Sequence, residues 1–324
     1  MGSKSCHKSG VANVVSAGQA VAYFRWVNAA LAEATKPYLI VNMDEASLTY
    51  HIAGIVGTVL RRRPRVMWQG GDRASLADRR GSVTYLASIC NDVNVNRILP
   101  QVLLGNTRRF LQRIMAEASA TVGENVYIWR EKSAWNNKVV MQRYIRLLCS
   151  CLGDRLQSHA VFLLVDMAPC HIHPSVFSLA RTMGLRMLLV PTGLTGLLQP
   201  LDTHVFRQFR GMMRELWVEH KSVVENGQVS FLSWLRIVSD AIQGVVVSKD
   251  WLRAFRQTGL LSCQDQLTPK LLRALGWDTR PVIASGLPGL GQAAALFPRN
   301  STANVEAWVF WRSPGKYVPI RTLD

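Results

Sequence analysis

Two apolar rhythms run along the 324-residue chain, one of three to four residues and one of continuous short runs. Val21, Phe24, Val27 and Leu31 recur at helical spacing and predict a helix over 15–35. Lys36-Pro37 ends it, because a residue before proline is driven out of the helical region. Tyr38-Leu39-Ile40-Val41-Asn42-Met43 then reads as a strand. The β-rich stretches 82–90 and 98–104 flank the turn formers Asn91-Asp92-Val93-Asn94 and predict a hairpin, followed by a helix over 107–121. Val140, Tyr144, Leu147, Leu148 and Cys151 share one helical face that Gly153 terminates. The unbroken run Val161-Phe162-Leu163-Leu164-Val165 fits a strand covered on both faces. A short helix over 175–183, between Pro174 and Gly184, leads to a strand over 186–190. A longer helix over 201–221 carries Val205, Phe209, Met212 and Leu216 along one side.

Past residue 221 the helical rhythm returns over 231–247, 251–258 and 268–275, and a Gly- and Pro-rich segment opens at Gly286. The order of elements implies an α/β fold, a mixed sheet with helices on its faces. The chain divides into a helical lead-in (1–37), a core (38–221) and a mainly helical C-terminal appendage with a Gly/Pro-rich tail (222–324). Gly289-Leu290-Gly291-Gln292-Ala293-Ala294 spells a dinucleotide-binding turn, but too little chain follows to complete that unit, so it reads as a linker.

Charge narrows the partners. Thirty-eight Lys and Arg against twenty-one Asp and Glu leave a formal net charge of +17, which favours a polyanion, with solubility as the alternative use of that charge. Arg61, Arg62, Arg63, Arg65, Arg73, Arg79 and Arg80 crowd a stretch broken by Pro64 and Gly70-Gly71, either a solvated loop or a surface for DNA phosphates. Trp68, Trp129 and Trp135 offer rings that either stack on bases or pack internally. The six cysteines are scattered and no apolar leader opens the chain, which points to a reducing compartment. Cys149, Cys151, Cys170, His171 and His173 lack the paired C-x₂-C spacing of a zinc site. The longest uncharged apolar stretch, 187–201, holds Pro191 and Pro200 and is too short to span a bilayer. Cys6 breaks the myristoylation pattern, and Asn300-Ser301-Thr302 is a glycosylation sequon by spelling only.

Three acidic residues stand at informative places. Asp44 and Asp166 each close an apolar strand, where an ionised carboxylate is costly unless a cation or donors compensate it. Asp202 begins a helix, a place where capping is the ordinary role. As a set, converging carboxylates suit Mg²⁺, a hard ion that keeps exchangeable waters for phosphate oxygens. Glu45 follows Asp44 directly and alternation sends it to the other side of the strand, so it is not counted as a ligand.

Asn42-Met43-Asp44-Glu45, Val83-Thr84-Tyr85-Leu86, Leu163-Leu164-Val165-Asp166-Met167-Ala168-Pro169-Cys170-His171, and Val190-Pro191 through Leu197-Leu198-Gln199-Pro200-Leu201-Asp202 together resemble the pogo/Tigger branch of the mariner superfamily of DDE transposases. The resemblance covers roughly residues 20–260 and implies an RNase H-like fold in which Asp44, Asp166 and Asp202 are the catalytic, metal-holding triad. It further implies Mg²⁺, with Mn²⁺ as the alternative ion, DNA as substrate, cleavage and strand transfer, a nuclear location, and a homo-oligomer as one form of the DNA complex. His171 lies near Asp166, either to touch phosphate, to orient a ligand or to close a local turn. Two departures stand out. Ala46 replaces the Thr of Asp-Glu-Thr, and Met167 replaces the Asn of Asp-Asn-Ala-Pro, which removes an amide beside a metal ligand. The residues before Val15 leave no room for the family's helix-turn-helix reader. The chain is therefore expected to be a fragment, a degenerate copy or a module served by another reader. The rival reading is a transposase-derived DNA-binding protein without chemistry.

Overall fold

The computed structural model describes residues 10–49, 83–108, 110–223, 229–261 and 267–276; the arginines from Arg61 to Arg80, Trp68 and the 289–294 turn lie outside them. Six strands form one sheet: β1 (Tyr38–Leu48), β2 (Val83–Cys90), β3 (Gln101–Asn106), β4 (Val126–Glu131), β5 (Ala160–Asp166) and β6 (Leu185–Val190), in the order β4-β3-β2-β1-β5-β6. β1 and β2 run antiparallel, as do β2 and β3, whereas β1–β5, β5–β6 and β3–β4 are parallel pairs. This is the mixed, helix-flanked sheet of an RNase H-like fold.

The expected hairpin is present, and a single helical turn, Val93–Asn96, occupies its connection, held by the Asp92 carboxylate, which accepts from Asn94 and Val95 N–H. β4 has no counterpart in the sequence reading. It is an edge strand whose residues are mostly half-buried, so it carries neither a continuous apolar run nor clean alternation.

The helices are α1 (Gly10–Ala32), α2 (Met115–Thr121), α3 (Lys138–Leu152), α4 (Pro174–Thr182), α5 (Phe206–Val223), α6 (Phe231–Ala241), α7 (Leu252–Gln257) and α8 (Pro269–Ala274). α3 starts where the Asn137 side chain accepts from Val139 and Val140 N–H, and it ends at Gly153, whose φ of 53° suits a residue without Cβ. Between Ala20 and Leu31, α1 buries most of its surface, because Tyr23, Phe24, Trp26 and Val27 all join the same apolar core as the sheet. The C-terminal helices join that core too, through Trp234, Leu235, Val238, Phe255 and Leu271. Gly259 shows how closely they meet α1: its φ is +79°, and a Cβ there would come within 2.3 Å of the Phe24 ring. A second tie is polar. The Asn96 amide donates to the Val246 and Val247 carbonyls at 2.8 and 3.0 Å, in a π-helical turn (Ile242–Val247) that extends α6.

Candidate active site

Asp44 lies inside an 11-residue strand rather than at its end, because β1 stays paired with β2 as far as Leu48. On its other side the pairing with β5 runs only to Asn42↔Leu164. Beyond that point the two parallel strands part. Asp44 is two residues past Asn42 and Asp166 two past Leu164, so the period of two places both carboxylates on one side of the opening.

Asp202 arrives from elsewhere, in a π-helical turn (Leu201–Val205) that runs into α5. Asn42 fixes that arrival. Its side-chain oxygen accepts from Leu201 N–H at 2.9 Å, while its amide donates to the Leu164 and Met43 carbonyls at 3.2 and 3.3 Å. One buried side chain thus joins β1, β5 and the backbone next to Asp202. The result is a graded cluster: Asp44 is 7% exposed at the floor, Asp166 is half-buried, and Asp202 is exposed at the rim within hydrogen-bonding reach of Asp44.

Crowding governs the electrostatics. Burial, followed by the charges of Asp202, Glu45 and Asp166, pushes the Asp44 carboxyl up to about 8, although Glu45 N–H donates to its Oδ1 at 2.8 Å. Asp202 is also raised, mainly by burial and by Asp166, with Arg210 pulling the other way. Asp166 behaves differently. Burial works to raise it, but the hydrogen bond and charge of His171 outweigh burial and hold it below the usual carboxylate range.

His171 is fully buried, with Nδ1 2.6 Å from Asp166 Oδ1 and Nε2 3.0 Å from Glu45 Oε1. Burial would lower its pKa, yet the Glu45 charge, the Asp166 hydrogen bond and the other contacts raise it well above the ordinary imidazole value. This corrects the reading of His171 as a DNA contact: a ring with no exposed surface and both nitrogens engaged has nothing to offer a phosphate. It bridges two carboxylates instead. Asn136 completes the group, donating to Glu45 Oε1 and lying 3.3 Å from His171 Nε2. Glu45 itself is held below its ordinary value because His171 and Asn136 outweigh its burial.

Residues 86–258 match the family of DDE superfamily endonucleases. The chain belongs to that family. The matched stretch contains Asp166 and Asp202 but stops short of Asp44. No curated protein matches the chain. Among solved structures it is similar to a Mos1 transposase paired-end complex with the left transposon end, at 12% identity and a TM-score of 0.39, with 80% of this chain and 66% of that one covered. It is also similar to a pre-cleavage Mos1 transpososome at 11% identity and a TM-score of 0.38, with the same coverage. The chain therefore spans just under two thirds of the length of those transposase chains.

The Asp44, Asp166 and Asp202 carboxylates suit a hard divalent cation, since all their donors are oxygen. Among the described residues, the three potential ligands whose atoms all lie within 4.8 Å of one another are Glu45, Cys170 and His171. This group differs from the five-residue zinc set weighed from the sequence, since Cys149 and Cys151 lie on α3 and His173 caps α4. Three residues escaped the sequence reading. Asn42, a polar residue inside an apolar run, was a visible signal; the parts played by Glu45 and Asn136 depend on contacts across 91 and 126 positions and left none.

Proposed function

We propose that this DDE-family chain catalyses Mg²⁺-dependent cleavage of DNA phosphodiester bonds and transfer of the resulting 3′-hydroxyl to new DNA, as in the pogo/Tigger branch that its motifs resemble. The observation that carries the reading is the gathering of Asp44, Asp166 and Asp202 at one opening of the sheet, with Asp44 pushed up to about 8 by its neighbours. Mg²⁺, when bound, supplies positive charge toward phosphate oxygens, with Mn²⁺ the alternative ion. The protein's own groups supply orientation. His171 and Ala168 N–H both hold Oδ1 of Asp166, which fixes the carboxylate's orientation. Asn42 sets Asp202 against Asp44, and the exposed Asp202 leaves the rim accessible to a strand of DNA. The net charge of +17 draws the polyanion to the protein, so affinity for duplex should fall steeply with salt and depend little on sequence.

Met167 favours a second reading, a DNA-binding protein that has lost chemistry, because its thioether stands where the resemblance places an amide beside Asp166. Nicking of supercoiled plasmid with and without Mg²⁺ separates the two. Asp166→Ala should abolish nicking while leaving DNA affinity equal or slightly higher, since one negative charge facing phosphate has gone. Equal nicking by both proteins would sink the triad, and a wild type that binds but never nicks would establish the second reading.

A further inference from the structure

Most large apolar side chains in the described residues are buried, but Trp135 is 79% exposed. Its surroundings are unusual for an exposed ring, because both neighbours are pinned. The Ala134 carbonyl accepts from the Thr84 hydroxyl on β2, and Ala134 is itself buried. Asn136 is held by Glu45 and His171, the group that braces Asp166. Asn137 then caps α3 through Val139 and Val140 N–H at 2.9 and 3.2 Å. Three anchored residues thus surround an indole that faces solvent, on a segment tied directly to the carboxylate cluster. The other large tryptophan of this region, Trp129, is buried beneath Arg143, whose guanidinium lies 4.2 Å from its ring centre. Packing therefore explains Trp129 and leaves Trp135 unexplained.

We infer that Trp135 is a stacking platform for an unpaired nucleobase of the DNA strand presented to the carboxylates. The inference rests on the DNA-cleavage reading for the identity of the strand, though not for the stacking itself. Lys132 and Lys138, both exposed, stand three residues to either side of the indole in the sequence, so the short segment that presents the aromatic face also carries two cationic side chains. That combination fits a base attached to its phosphates: the ring takes the π-face, and the ammonium groups take the backbone. The anchoring matters energetically, since a backbone already held on both sides of the indole leaves only the side-chain torsions to be fixed on stacking. An apolar protein partner would gain nothing from the flanking lysines, which makes a second copy of the chain the weaker occupant.

The test is binding of a forked duplex carrying 2-aminopurine in its single-stranded arm, with Ca²⁺ in place of Mg²⁺ so that no cleavage intervenes. Wild type should quench the 2-aminopurine. Trp135→Ala should lose the quenching and on the order of ten- to a hundred-fold in affinity for the fork, and Trp135→Phe should recover much of both. Affinity for fully paired duplex should change little. Because the side chain is exposed, Trp135→Ala should melt with wild type, which excludes misfolding as the cause. Equal quenching and affinity in wild type and Trp135→Ala would overturn the inference, as would a wild type that binds no DNA. So would a shift of Trp135→Ala from dimer to monomer in sedimentation with DNA affinity intact, which would assign the indole to a second copy. Trp135-dependent quenching in a protein that never nicks plasmid would leave the stacking standing and remove the catalytic reading alone.

Discussion

Asp44→Asn should stabilise the metal-free protein at neutral and alkaline pH while abolishing its cleavage activity. The wild-type carboxyl ordinarily titrates near 3.8 but is pushed up to about 8 in the fold, by burial first and then by Asp202, Glu45 and Asp166. A group whose folded pKa is raised contributes stability that is complete below the unfolded value and is lost as pH rises toward the folded one. Each pH unit in that window is about 1.36 kcal/mol, so by pH 7 the loss reaches ~4 kcal/mol as an upper bound. Water at the rim and local relaxation reduce this to about 2 kcal/mol. An asparagine does not titrate, its oxygen can still accept the Glu45 N–H, and its amide can donate to Asp202, so the variant keeps what the wild type loses. For a chain of this size the gain corresponds to roughly 4 °C in Tm. Thermal melts in EDTA from pH 5 to 9 should show wild type falling below Asp44→Asn as pH rises, with the gap closing when Mg²⁺ is added. A variant less stable than wild type in EDTA at pH 8 would refute the crowding argument, whatever its activity.

Proton release ties metal affinity to the same group: between pH 6 and 8 the apparent Mg²⁺ affinity should rise by about tenfold per pH unit and then level, and calorimetric titrations flat across that range would contradict the elevated Asp44. Asn42→Ala orphans Leu201 N–H and the Leu164 carbonyl in the core, so it should cost about 3 kcal/mol and reduce nicking far more than DNA affinity; an unchanged Tm would show that Asp202 is positioned without it. His171→Ala leaves two partly buried carboxylates without their bridge and should weaken Mg²⁺ binding by about 10- to 100-fold, measured by titration, with DNA affinity unchanged. A loss of DNA affinity with metal binding intact would restore His171 to the DNA surface.

Local signals in the sequence determined most of the fold. Continuous apolar runs this short, bounded by polar residues, fit strands covered on both faces, and β1 and β5 follow from them; the helix stop at Gly153 follows from a backbone that only glycine adopts cheaply. The three carboxylates that meet at the opening stood at visible places, Asp44 and Asp166 after apolar runs and Asp202 at a helix start, and the family resemblance joined them into one set. β4 was not legible, since a half-buried edge strand imposes no sharp pattern on its residues. Tertiary structure alone decided how the site is braced. Glu45, Asn136 and His171 meet across the fold, and what each does depends on which partner burial brings within hydrogen-bonding distance. The same holds for the roles of otherwise similar residues. Trp129 is core and Trp135 is surface although six positions separate them, and Asp44 is raised while Asp166 is lowered although both end up at one opening. Composition is blind to these differences because burial and neighbouring charge, set by the packing of distant segments, decide them.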